Sequence, residues 1–326
     1  MHCQMCRKDE DMAITAAQVK ELREMTGAGI MECKKALTET NGDLDKAVEV
    51  LRKAGAAKAE KKSSRIAAEG LCYVSQKEDH EAAMVEVNSE TDFVANNAKF
   101  QGYVQHVADA ALETKAEDLN GFLADSWPED PSKTVNDALV NMISVISEKL
   151  SIRRFARLKE EDGIVCSYVH GGGRIAVLVS AKTDVVNDEI KEAVHNVALQ
   201  VAALSPKYVS EDDIPEDVRN HERQILLAQA QNENEALPEN KRKSQQIIEK
   251  MLEGRLKKEF REICLNDQIY VKAEDGKQSV SSYLNAVGKK NGAHISIDRF
   301  VRFETGEGME HKSENFAEEV MKQAKL

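Results

Sequence analysis

The sequence predicts an α+β protein: a three-helix bundle at the N-terminus, then two related β-sheet/helix subdomains, the second carrying an inserted antiparallel helical hairpin. Three observations point there. Apolar residues fall at helical spacing through the first fifty or so residues. Five short segments then recur in the same order. A near-heptad apolar stripe interrupts the second set.

Thr15 and Gln18 form a capping box ahead of Val19 and Leu22, so a first helix starts there. TGAG (26–29) breaks it. A second helix follows with Ile30, Cys33 and Leu37 on one side. NGD (41–43) turns the chain, and Leu44, Ala47, Val48 and Leu51 recur at i, i+3, i+4, i+7. This bundle is either a generic helical module or a partner-docking module led by Ile30 and Met31. RKAGAAKAEKKSSR (52–65) carries six basic residues and reads as a linker helix or a flexible arm, either solvated or set against an acidic partner surface.

The repeat follows. EGLCYV (69–74) matches IVCSYV (164–169), and AAMVEVNSETD (82–92) matches RIAVLVSAKTD (174–184). FQGYVQHVADAAL (100–112) parallels IKEAVHNVALQVAAL (190–204), and SKTVNDALV (132–140) parallels GKQSVSSYL (276–284). SIRRFARL (151–158) matches SIDRFVRF (296–303). Each copy is a β-β-α-α-β unit, a small sheet with helices on one face.

The second copy is interrupted from about Pro206 to Val271. Pro215 suits a helix start, with Val218 and Ile225 on its apolar stripe. QNENEALPEN (231–240) turns the chain. Ile247, Ile248, Met251, Leu252, Leu256, Phe260 and Ile263 then form the returning arm. The chain closes with NFAEEVMKQAKL, an amphipathic helix. The expected divisions are a disordered extension 1–12, the bundle 13–55, a linker 56–68, core subdomain one 69–160, core subdomain two 161–205 with 272–305, the hairpin 206–271 and a C-terminal module 306–326.

Composition narrows the function. With 326 residues and 41% hydrophobic content the chain can build a sizeable core. A net charge of −12 argues against nucleic acid, whose phosphates need a basic face. No apolar run approaches the ~20 residues that span a membrane. MHCQMCRKDED lacks a signal peptide's apolar region and carries acids, and Met12 is a second candidate start. The six cysteines are scattered, which fits a reduced, cytoplasmic setting. Cys3-x-x-Cys6 beside His2 is a half-site for metal with no second ligand pair, so no metal and no cofactor is expected.

No enzyme motif stands out. HGGGR (170–174) offers backbone N–H groups to an anion, but neither a nucleophile elbow nor a P-loop accompanies it. A tight hairpin turn explains the same glycines, with His170 as a cap or an exposed contact. Glu86 and Asp92 do not make an acid–base pair, and His106 and His195 sit in helical runs.

Phe93, in NSETDFVANNAKF (88–100), is harder to place. It sits where a strand gives way to a helix, and the second copy has Val185 there, after the same Thr-Asp. Either Phe93 folds beneath its own helix as a staple, or it projects as a wedge. Burying such a ring in a partner's pocket contributes about 1.5–3 kcal/mol, and rings of this kind anchor interfaces.

TGAGIMECKKALTETNGDLDKAVEVLRKAG, TDFVANNAKF and YVHGGGRIAVLV together resemble the elongation factor Ts family, the guanine-nucleotide exchange factors of the GTPase elongation factor Tu. The resemblance runs from about Ala13 to the end. It departs at the acidic extension 1–11, at the extra glycine of GGGR and over 264–275. It implies a ubiquitin-associated-like bundle and a partner, elongation factor Tu. It implies that Asp92 and Phe93, with Thr91 and Val94 as contact residues beside them, enter the GTPase near its Mg²⁺ region. By matching position, Ile30, Met31, Lys34, Lys62, His170, Tyr270 and Val271 touch the GTPase elsewhere. The hairpin could also pair two copies of the chain. A non-enzymatic scaffold with the same bundle is the alternative.

Overall fold

The computed structural model describes residues 14–310. The expectations for residues 1–12, the Cys3/Cys6 half-site included, and for 311–326 of the C-terminal module lie outside the described residues. Helices and small sheets alternate in an α+β arrangement. The described chain forms two compact units: 14–71 with 85–155 and 305–310, and 72–84 with 156–304.

The first unit opens with α1 (Ala16–Thr26), α2 (Ile30–Glu39) and α3 (Leu44–Lys62). The Thr15–Gln18 capping box starts α1, and Gly27 at φ 69° ends it. Val19, Leu22, Cys33, Ala36, Leu37 and Ala47 form the bundle core. Of the two readings of 52–65, helix and flexible arm, the chain takes the helix as far as Lys62. The alanine-rich run favours it. Gly55 lets it lie close to a later helix, because a Cβ there would meet Ser144 Oγ at 2.9 Å.

β1 (Glu69–Lys77) and β2 (Glu81–Ser89) follow, then α4 (Asp92–Ala95), α5 (Ala98–Glu113), α6 (Leu119–Ala124), β3 (Ser126–Trp127), β4 (Asp130–Thr134), α7 (Val135–Ile146) and β5 (Ser151–Lys159). The first sheet has the order β1-β2-β5. The α6 turn and the β3–β4 pair were not expected. They are too short to show a period. They are held by Trp127 beside Tyr103, ring centroids 5.8 Å apart, and Phe122 against Phe155 at 4.8 Å.

The second unit holds β6 (Gly163–His170), β7 (Ile175–Thr183), α8 (Asp188–Leu204), α9 (Glu216–Glu235), α10 (Gln245–Ile263), α11 (Val280–Asn291) and β8 (Ile295–Glu304). Its sheet is antiparallel, in the order β6-β7-β8. Alternation along β7 serves two cores. Val177, Val179 and Ala181 meet Ile190, Val194, Val197 and Val201 of α8. Ala176 and Leu178 meet Cys72, Ala82, Met84 and Leu158. Helices therefore cover one face, as expected, and the other face is buried too. The series β-β-α-α-β recurs as β1, β2, α5, α7, β5 and as β6, β7, α8, α11, β8.

The α9–α10 hairpin is sparsely packed. Ile248, Leu252 and Phe260 are buried, while Val218, Ile225 and Ile247 of the expected stripe are exposed. Arg255 closes on Glu233 at 2.6 Å.

Candidate functional site: the Asp92–Phe93 corner

At the end of β2 the chain leaves extended geometry at Thr91 (φ −133°, ψ 155°) and makes the single turn α4. The Ser89 hydroxyl donates to Thr91 O at 2.9 Å. The Asn96 side chain donates to Asp92 O at 3.0 Å, and Asn97 caps α5 through the Lys99 N–H at 2.9 Å. This turn places Asp92 and Phe93 at the surface. Phe93 is 84% exposed, and no other large apolar side chain among the described residues is as open.

The staple reading of Phe93 is therefore overturned. Val94, counted among the contact residues, takes the inward position at 8% exposure. In a turn this short, adjacent residues diverge by about 100°, so one faces the core and the other solvent.

Thr91 faces inward as well. Its hydroxyl donates to Glu148 Oε1 at 2.8 Å, and the Glu90 and Thr91 N–H groups each donate to Glu148 Oε2 at 3.1 Å. Glu90 Oε1 in turn accepts the Lys149 N–H at 2.6 Å and Arg65 Nη1 at 3.1 Å. Lys149 Nζ donates to Arg65 O at 2.7 Å. The end of α3 is thus tied to the corner. Lys62 belongs to this cluster: burial lowers its pKa, Arg65 adds to that, and Glu90 opposes it.

In the bundle, Met31 is 75% exposed and Ile30 54% exposed, with Lys34 exposed on the same helix. Ile30 was expected on the packed side with Cys33 and Leu37. It lies instead exposed at the first residue of α2, after Gly29. Met25, exposed as well, was not singled out from the sequence.

HGGGR forms the turn between β6 and β7, with His170 opposite Ile175. Gly171, Gly172 and Gly173 have φ of 59°, 66° and 100°, a left-handed run that side chains resist. The glycines are explained by this geometry. His170 is exposed, and its Nδ1 pairs with the Tyr168 hydroxyl at 2.9 Å.

Tyr270 does not fit its expected place at a partner surface. It is 5% exposed and stacks on Tyr283, centroids 4.1 Å apart. Burial, with the Tyr283 hydrogen bond behind it, raises its pKa. Val271 and Ile269, on either side, are exposed. Tyr270 turns inward between an isolated bridge at Ile269 and a turn that starts at Val271. The buried Gln200 amide fixes that segment, accepting the Val271 N–H at 2.8 Å and donating to Ile269 O at 3.0 Å.

Glu86 is a fully buried structural carboxylate. It accepts Arg153 Nη1 at 2.9 Å, Arg154 Nε at 2.6 Å, Asn88 Nδ2 at 3.1 Å and the Gly306 N–H at 2.9 Å. Burial alone would raise its pKa, but the Gly306, Arg153 and Asn88 donors outweigh it and the net shift is downward. Among the described residues no group of three or more His, Cys, Asp or Glu could hold a metal, and no helix is long and apolar enough to cross a membrane. A groove of about 790 Å³ between α3 and α7 is lined by none of the expected partner-contact residues.

Glu148 was not singled out from the sequence either. It is 57 positions from Thr91, and no local pattern links them.

The family profile Elongation factor TS matches residues 90–307. The Elongation factor Ts of Clostridium tetani is 46% identical over 311 residues, covering 95% of this chain and 99% of the relative. That of Clostridium perfringens is 46% identical over 310 residues, covering 95% and 98%. The chain belongs to the elongation factor Ts family.

Proposed function

We propose that the chain is a guanine-nucleotide exchange factor acting in the cytoplasm, which binds elongation factor Tu·GDP and promotes GDP release. The exposed Phe93 ring beside Asp92 carries this reading. A GTPase holds GDP through backbone amides and through Mg²⁺ bridging phosphate oxygens. A ring pressed into the partner near that site stabilises the nucleotide-free form without touching GDP. Nucleotide and factor then weaken each other's binding by the same factor. GTP rebinds and expels the factor. No bond is made or broken, so no catalytic residue is required.

Further contacts fall to Ile30, Met31 and Lys34 of the bundle, to Lys62 at the end of α3, to His170 at the β6–β7 turn and to Val271. Each is at least partly exposed, which supports its assignment. Ile269 joins Val271 in place of the buried Tyr270.

The test is release of a fluorescent GDP from purified elongation factor Tu, with and without the chain. Phe93→Ala is expected to slow the stimulated release about tenfold or more, the loss that follows removal of a buried interface anchor. Tight binding with no change in the GDP off-rate would point to the scaffold alternative.

A further inference from the structure

The two copies of the repeat tether the same corner by different means. In the second copy the Asp184 carboxylate accepts the His294 N–H at 2.9 Å. Matching SIRRFARL with SIDRFVRF makes His294 the counterpart of Lys149 and Ala293 the counterpart of Glu148. In the first copy the Lys149 N–H goes to Glu90 instead, at 2.6 Å. Glu148 then reaches back to the Glu90 and Thr91 N–H groups and the Thr91 hydroxyl. Two neighbouring segments thus exchange carboxylates, and Asp92, the counterpart of Asp184, is left at the surface.

The consequence reaches Phe93. α4 has four residues, too few to hold a helix by itself. Thr91 is its N-cap residue, yet its side chain makes no cap hydrogen bond and is committed to Glu148. In the second copy, which lacks such a carboxylate, the Thr183 hydroxyl bonds locally to Val185 O at 2.9 Å, and Val185 packs against the core.

We propose that Glu148, in exchange with Glu90, is the positioning residue that sets Asp92 and Phe93 for their entry into the GTPase. This rests on the wedge reading of Phe93. Glu148 touches neither partner nor nucleotide; it fixes the backbone from which the ring projects.

The experiment follows fluorescent GDP release from elongation factor Tu over a range of factor concentrations. Glu148→Ala is expected to lower the maximal release rate about tenfold while shifting the half-saturating concentration less than about threefold, as misplacement of a bound group does. Glu148→Gln keeps an oxygen for both N–H groups and is expected to restore most of the rate. In a Phe93→Ala background Glu148→Ala should cost nothing more, because the two act as one unit. Thr91→Val, which removes only the hydroxyl bond, gives a smaller loss by the same logic and serves if Glu148→Ala does not fold.

A rate loss from Glu148→Ala or Thr91→Val that persists undiminished without the Phe93 ring overturns the positioning role. So does full activity of both variants alongside a slow Phe93→Ala. If Phe93→Ala itself releases GDP at the normal rate, the wedge reading fails first and takes this inference with it.

Discussion

Phe93 and Val94 are consecutive residues of one helical turn, yet Phe93 is 84% exposed and Val94 8% exposed. Phe93→Ala is therefore expected to leave stability within about 0.5 kcal/mol, the spread of ordinary surface substitutions. Val94→Ala should cost about 1–2 kcal/mol from lost burial. Urea midpoints measure both, and equal losses would mean that the ring is packed in solution.

Glu86 is fully buried against Arg153 and Arg154, which keep 27% and 29% side-chain exposure. Removing the carboxylate with Glu86→Ala should destabilise by about 2–3 kcal/mol, below the usual cost of breaking a buried pair because both arginines can still reach water. The pH dependence has a fixed sign. The folded pKa lies below the ordinary 4.5, so the stabilisation is present above about pH 4.5 and is lost as pH falls through the folded value. The gap in melting temperature between wild type and Glu86→Gln should narrow on acidification, and a gap that widens would contradict this.

Tyr270 and Val271 should separate by phenotype. Tyr270→Ala opens a cavity beside Tyr283 and is expected to cost about 3 kcal/mol or more. On the proposed function, Val271→Asp is expected to leave stability near wild type and to weaken binding to elongation factor Tu. Calorimetry of folding and of binding distinguishes them, and a stable Tyr270→Ala with impaired binding would restore Tyr270 to the contact surface.

Gly163 pairs with Lys182 across the second sheet, and a Cβ on it would lie 2.0 Å from Ala181 O. Gly70 has the same relation to Val87 O, at 2.1 Å. In neither case can a backbone carbonyl swing aside as a side chain could. Gly163→Ala should lower stability by about 1–3 kcal/mol through backbone strain, read as a shift of the urea midpoint with unchanged slope. An unshifted midpoint would show that the sheet edge yields there.

Much of this architecture is local and so was readable in advance. The Thr15–Gln18 box, the Gly27 stop and the Pro215 start are decided by neighbouring residues. The repeat was visible because alternation and helical spacing survive in both copies. The β3–β4 pair was hidden because a two-residue strand has no period, and it is held by Trp127 reaching Tyr103. The stripe of α9 and α10 was legible, but its packing was not, since apolar spacing does not say which residues find a partner.

At the site the division is sharper. The order of residues by itself set a Thr-Asp-Phe corner between a strand and a helix, an α+β duplication and a three-helix bundle. Those features rest on hydrogen bonds and apolar periods a few residues long. Only the tertiary structure decided that Phe93 points out while Val94 points in, that Tyr270 is core while Val271 is surface, and that Glu148 holds Thr91. Each outcome depends on which distant segment occupies the neighbouring space, and close packing with satisfied hydrogen bonds settles that only when the whole chain is folded.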